Sequence, residues 1–216
     1  MPRQFFKKTI IDVLNRAHLD SNTEVVIAPP SPYLIPLQGI VRSEVKISAQ
    51  NCYCKPSGAF TGEISLAQLH NAEIPYVTLG HSERRTIFHE TSELVAQKTK
   101  AALDTSLSVI LCREAGKTND VVEAQLRAVV SVLNEDDFKN PVWAIGTGKL
   151  ATAAQAQEVH SYIRDYLSRA VSSAVAENTR IIYGGSPTQK DVDGFLVGSA
   201  SLKPEFVDII NVNLKN

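Results

Sequence analysis

Residues 76–85 read YVTLGHSERR. Tyr76, Val77, Thr78 and Leu79 are β-favouring and almost continuously apolar, and Gly80 ends the run. A short apolar stretch that closes on glycine predicts a buried strand of a parallel sheet. Beyond Gly80 the chain is dense in chemistry: His81, Ser82, Glu83, Arg84 and Arg85. The strand therefore delivers a histidine to its C-terminal end. A lone histidine there is more often structural than catalytic. The neighbours shift that balance, since Ser82 suits the cap of a following turn and Glu83 beside two arginines predicts an ion-pair cluster. An ordinary surface network is the plain alternative.

Working outward, the same rhythm recurs. TEVVIAPP (23–30), VKISAQN (45–51), LSVILC (107–112), RIIYGGS (180–186) and VDGFLVGS (192–199) are also short apolar runs ending in small or turn-forming residues. Amphipathic stretches lie between them. From Thr118, a candidate N-cap, TNDVVEAQLRAVVSVLN puts Val122, Leu126, Val129 and Leu133 on one face. From Thr152, TAAQAQEVHSYIRDYLSRA does the same with Ala156, Val159, Ile163 and Leu167. TIIDVLNRA and SELVAQKTKAAL behave similarly. Strands alternating with helices predict α/β architecture with a parallel sheet. The dinucleotide and P-loop glycine spacings of open sheets are missing, and GTGKLAT fits neither. Glycine turns at many strand ends favour a single barrel domain over residues 1–216, with its loops gathered on one face.

Composition narrows the function. The chain has 216 residues, 44% hydrophobic and 21% charged, with net charge −1. Charges of both signs are interspersed, so nothing points to nucleic acid. No apolar run reaches the roughly 18 residues that signal a membrane span, and MPRQFFKKTI lacks a long apolar leader core. Cys52, Cys54 and Cys112 make an odd count that describes no disulfide framework. Free thiols and a cytoplasmic location are the expectation.

Three glycine-bearing turns, AIGTG, YGGS and VGSAS, each offer backbone N–H groups to an anion. Each singly would be an ordinary strand end; together they favour a small phosphorylated substrate. Residues 141–148, PVWAIGTG, read as a lid. Pro141 stiffens one end, Gly146 and Gly148 loosen the other, and Val142, Trp143, Ala144 and Ile145 form an apolar span, with Thr147 between the glycines. QNCYCKPSGAFTGEIS (50–65) reads as an extended loop, with Thr61 near its tip, that either reaches a partner or lies on the surface. His89 and Glu90 stand eight residues or more from His81, which is no standard metal-ligand pattern. His18, His70 and His160 fall in helical stretches and are expected at the surface or an edge.

GAFTGE (58–63), LGHSERR (79–85), PVWAIGTG (141–148), YGGS (183–186) and DGFLVGSASLKPEF (193–206) together resemble the triosephosphate isomerase family, over nearly the whole chain. The resemblance implies a (β/α)8 TIM barrel that works as a homodimer. It implies interconversion of dihydroxyacetone phosphate and D-glyceraldehyde 3-phosphate, with no cofactor, no metal, no nucleic acid and no membrane. That family is itself a worked example of pKa-tuned acid–base chemistry under a closing loop. By motif, His81 would be the electrophile and Glu83 would belong to the catalytic cluster beside it. Gly146, Ser186, Gly198 and Ser199 would line the phosphate site. The family carries glycine at position 199, so serine there restricts φ. Thr61 would cross the dimer interface.

The same resemblance exposes four missing segments. The family precedes the lid with a strand reading roughly VVAYE, whose glutamate is the catalytic base; here Asn140 abuts Pro141. Phe6 runs directly into Lys7, without the asparagine and lysine that bind substrate. Arg113 comes straight after Cys112 without the IGET turn, and Pro187 straight after Ser186. A barrel incomplete at strands 1 and 6 is therefore expected. So is a competing reading, a catalytically dead phosphate-binding or scaffold barrel of the same family.

Overall fold

The computed structural model describes residues 10–114, 119–139, 142–146, 153–184 and 193–215. They form two compact units. One comprises Met1–Gln50 with Val197–Asn216; the other is Asn51–Leu196.

The first unit opens with helix α1 (Asp12–Arg16), strand β1 (Val25–Ile27), helix α2 (Leu34–Gln38) and strand β2 (Val45–Ala49). β1 and β2 are parallel, with Val25 opposite Val45 and Ile27 opposite Ile47. Leu14, Leu37, Val45 and Ile47 are buried. Each such aliphatic side chain stabilises by about 1.5–3 kcal/mol. Asp20 fixes the turn before β1, accepting the Asn22 N–H at 2.9 Å and the Thr23 hydroxyl at 3.3 Å. Its own N–H donates to Asn211 Oδ1 at 2.8 Å, and Asn211 Nδ2 donates to the His18 carbonyl at 2.7 Å. This unit's two chain segments are thereby tied by polar bonds as well as by packing.

The second unit is built on five parallel strands in sequence order: β3 (Tyr76–Leu79), β4 (Ser108–Glu114), β5 (Val142–Gly146), β6 (Arg180–Gly184) and β7 (Gly194–Phe195). Helix α3 (Leu66–Asn71) precedes β3, and α4 (Ser82–Thr86), α5 (Ser92–Asp104), α6 (Asn119–Val130), α7 (Ala153–Ala170) and α8 (Ser173–Asn178) fall between β3 and β6. Parallel neighbours need crossover connections, and α4 to α8 supply those from β3 to β6. The starts are chemically marked. Ser65 and Gln68 form a reciprocal capping box on α3, and Thr91 and Ser172 cap α5 and α8. Asp193 joins three elements: its Oδ2 accepts the Ile181 N–H at 2.7 Å and Arg164 Nη2 at 2.8 Å.

All six strands expected from the sequence are present. The helical faces are largely as expected too. Val122, Leu126 and Val129 are buried on α6, and Ile163 and Leu167 on α7. Thr118 and Thr152 lie outside the described residues. His18 and His70 are exposed, but His160 is a correction, being fully buried. It lies one turn before Arg164 on the covered side of α7, its ring edge-on to Tyr183 at 5.9 Å. Helical periodicity showed that it was near the core boundary but not on which side.

The cysteines are free thiols, and burial pushes Cys52 and Cys112 up to about 12. No helix among the described residues is long and apolar enough to cross a membrane.

One departure alters the architecture. Val142–Gly146, expected as a lid, is strand β5. It pairs with β4 from Ile110↔Val142 to Glu114↔Gly146 and with β6 from Val142↔Arg180 to Gly146↔Gly184. Ala144 is fully buried. The position expected to be vacant for want of the sixth strand is filled by the next apolar segment. A gap between β4 and β6 would leave two rows of backbone groups unpaired. Four consecutive apolar residues after Pro141 are a ready replacement. The stretch expected to carry the first strand lies outside the described residues.

Candidate active site

The corner between β3 and α4 is built by glycine. Gly80 has φ +68°, and a Cβ there would come within 2.9 Å of both Arg85 Nη2 and Val95 Cγ1, and 3.1 Å from the Cys112 carbonyl oxygen. Only glycine turns the chain in so little room. Arg85 Nε donates to the Gly80 carbonyl at 2.9 Å, locking the turn from the helix side. His81 then occupies the N-cap of α4 with extended backbone (φ −53°, ψ 146°).

That placement decides the tautomer. The Glu83 backbone N–H donates to His81 Nδ1 at 3.3 Å. A ring nitrogen that accepts a hydrogen bond carries no proton. The neutral imidazole therefore holds its proton on Nε2, the nitrogen directed away from the helix backbone. The Glu83 carboxylate lies 3.7 Å from Nδ1, too long for a hydrogen bond, and is largely exposed. The imidazole is thus held by the backbone of Glu83, and its Nε2 is left to donate.

The ion cluster is real but has a different centre. The carboxylate facing Arg84 is Glu90, not Glu83. Arg84 donates to Glu90 Oε1 from Nε at 2.9 Å and from Nη2 at 2.7 Å, and Lys98 Nζ reaches the same oxygen at 2.7 Å. Lys98 also bonds Asn51 Oδ1 at 3.0 Å. His89, at φ +55°, turns the chain back so that Glu90 comes under Arg84. Burial pushes the Glu90 carboxyl up, but hydrogen bonds from Lys98 and Arg84 outweigh it and hold it below the usual range. The Arg84 guanidinium also lies 4.3 Å from the Phe88 ring centroid. The cluster anchors the start of α5 beneath the His81 corner. No residue pattern signalled it, because the positive φ of His89 that brings Glu90 under Arg84 is a conformation and not a spacing.

β4 extends past β3 at the same end. Leu111 is opposite Leu79, whereas Cys112, Arg113 and Glu114 continue the ladder against β5. The strand ends at this edge are therefore His81, two residues beyond β3, then Glu114, Gly146 and Gly184.

The sequence profile of triosephosphate isomerases matches residues 3–213. A triosephosphate isomerase of Coprinopsis cinerea is 59% identical over 226 residues, covering 94% of this chain and 90% of that relative. The chain belongs to the triosephosphate isomerase family.

Other relatives show the same name and span. The Neurospora crassa triosephosphate isomerase is 53% identical over 230 residues, with 96% and 92% coverage. That of Emericella nidulans is 49% identical over 249 positions, covering 99% of this chain and all of the relative. An alignment of 249 positions against a chain of 216 residues requires internal segments that this chain lacks.

The remaining triosephosphate isomerase motif residues are more scattered. Gly146 closes β5 inside a ladder with a neighbour on each side, rather than in an open turn. Pro141, Thr147, Gly148 and Ser186 lie outside the described residues. Gly198 and Ser199 belong to the first unit, where Gly198 precedes a 3-10 turn over Ser199–Leu202. Ser199 is not among the positive-φ residues, so serine meets no left-handed strain there. Thr61 is exposed in a loop whose glycines Gly58 and Gly62 both have positive φ. In that loop Phe60 packs on Tyr53 at 4.5 Å between ring centroids and remains 39% exposed.

Proposed function

We propose that this chain interconverts dihydroxyacetone phosphate and D-glyceraldehyde 3-phosphate through an enediolate. The observation that carries this reading is the His81 corner: Nδ1 accepts a backbone N–H, so Nε2 is the donor that polarises a substrate carbonyl. Glu83 supports the ring through its main chain. Gly146, Ser186, Gly198 and Ser199 are the phosphate-binding candidates, with backbone N–H groups as the donors. The reaction moves only protons, so it needs no cofactor. The substrate is a small phosphorylated triose. The chain acts as one barrel domain in a cytoplasmic homodimer, in which Thr61 and the exposed Phe60 loop meet the partner.

In the forward direction, a base removes a proton from the carbon beside the carbonyl. The C–H electron pair becomes the C=C bond, and negative charge collects on the oxygen facing His81 Nε2. That oxygen gains a proton as the hydroxyl on the neighbouring carbon gives one up. Return of the abstracted proton to the former carbonyl carbon leaves the new carbonyl on its neighbour and completes the exchange. A coupled isomerase assay on the 23.6 kDa protein tests this. His81→Gln is expected to lower kcat by about 10²–10³-fold, the loss typical for one oxyanion donor. Absence of turnover by the unmutated chain in both directions overturns the proposal.

A second reading is favoured by one observation. Val142–Gly146 is a paired strand, and Asn140 stands where the family has its base. Both features suit a phosphate-binding barrel without turnover. Binding of a triose phosphate, seen by phosphorus NMR, with no isomerisation supports that reading instead.

A further inference from the structure

An electrophilic histidine is useful only while its donor nitrogen points one way, and His81 is aimed through its backbone. We propose that Arg85 is the positioning residue for His81. The inference rests on the isomerase reading and goes beyond it by naming the side chain that aims the ring.

The direction of a side chain is set first by the two peptide planes that flank its Cα. Around His81 those planes carry the Gly80 and His81 carbonyls, and Arg85 bonds both. Its backbone N–H donates to the His81 carbonyl at 3.1 Å, and its side-chain Nε donates to the Gly80 carbonyl at 2.9 Å. The first is the opening bond of α4, which any residue but proline supplies. The second depends on the arginine side chain. Arg85 Nη1 also donates to Ser92 Oγ at 3.3 Å, so the guanidinium is braced against the first turn of α5. Gly80 makes room for it, since a Cβ there would lie 2.9 Å from Arg85 Nη2.

The ring has little slack. The Glu83 N–H reaches His81 Nδ1 at 3.3 Å, at the long end of the hydrogen-bond range. A small rotation of the peptide between Gly80 and His81 breaks that bond. Nδ1 is then free to take the proton, and a neutral ring protonated there has no donor at Nε2. Arg85 therefore protects the tautomer as well as the aim.

Lysine isolates the contribution of Nε. It keeps the positive charge but puts a methylene where arginine has that nitrogen, so the Gly80 carbonyl loses its donor. The neighbouring Arg84 is engaged elsewhere, with Glu90 and over Phe88.

The test combines ring spectroscopy with a double-mutant cycle, using the unmutated chain, Arg85→Lys, His81→Gln and the double variant. Among the five histidines, the His81 ring is identified by the nitrogen NMR signals that His81→Gln removes. The unmutated chain is expected to show one neutral tautomer, protonated on Nε2, and Arg85→Lys a mixture of the two. With dihydroxyacetone phosphate as substrate, Arg85→Lys is expected to lower kcat on the order of 10–10²-fold with KM little changed. In the His81→Gln background the same exchange is expected to alter kcat by no more than about 2-fold. Unchanged His81 ring signals in Arg85→Lys overturn the proposal, as does an equal loss of kcat in both backgrounds, which marks a merely structural role. Either result leaves the isomerase reading standing. No turnover by the unmutated chain sinks that reading, and the positioning role goes with it.

Discussion

The Gly80–Lys98 corner and strand β5 carry equally specific family strings, yet one string keeps the geometry its sequence implied and the other does not. The corner is closed by partners close in sequence. Arg85 holds Gly80, Glu83 holds His81, and Glu90 collects Arg84 and Lys98. Nothing missing elsewhere disturbs these bonds. PVWAIGTG is different, because a lid needs a strand before it to hang from. With that strand missing, the apolar half enters the sheet. A motif keeps its geometry when its determinants are local, and changes role when they belong to a neighbour.

The strongest way to break this contrast is Ala144→Asp. A buried, unpaired carboxylate in a central strand is expected to cost about 5 kcal/mol or more, read as a collapse of the urea midpoint. On an exposed lid the same change would stay within about 0.5 kcal/mol, and that result would refute the strand. Next is Glu90→Gln, which leaves Arg84 and Lys98 without their counter-charge. It is expected to cost about 3 kcal/mol near neutral pH by chemical denaturation. Because the folded Glu90 carboxyl is held below its ordinary value of 4.5, its contribution is full above that pH. It is lost as pH falls further through the folded value. The unmutated chain should therefore lose stability below pH 4.5 more steeply than Glu90→Gln; parallel acid limbs would count against the cluster.

Gly80→Ala sharpens the other side. A left-handed φ and contacts at 2.9 Å to Val95 and Arg85 predict a loss of about 2 kcal/mol. A crystal structure of the variant should show Arg85 displaced, and an unmoved Arg85 would contradict the crowding. The smallest effect is expected from Arg85→Lys, which keeps the charge but loses the fixed guanidinium fork. About 1 kcal/mol in thermal unfolding is expected, and an unchanged melting temperature would show that the Gly80 carbonyl finds another donor.

Much of the fold was legible because period and punctuation are local. Six apolar runs ending in turn residues became six strands, and Val122, Leu126 and Val129 became a buried helix face. His81 was legible as a strand-end residue. Its tautomer was not, since that depends on where one backbone N–H of Glu83 points. Glu90 was passed over because its partners are Arg84 and Lys98, brought together by a single positive-φ residue rather than by helical spacing. The lid reading of residues 142–146 was sound as local pattern. It ignored that an open slot between two strands competes for any extended apolar segment.

β5 has a consequence for how such chains tolerate loss. Ladder hydrogen bonds join main chains and do not inspect side chains, so the slot accepts whichever adjacent stretch is extended and greasy enough. A coding sequence that drops one strand in frame need not shatter the sheet, because the next stretch can be promoted into the vacancy. What is forfeited is the promoted stretch's former task.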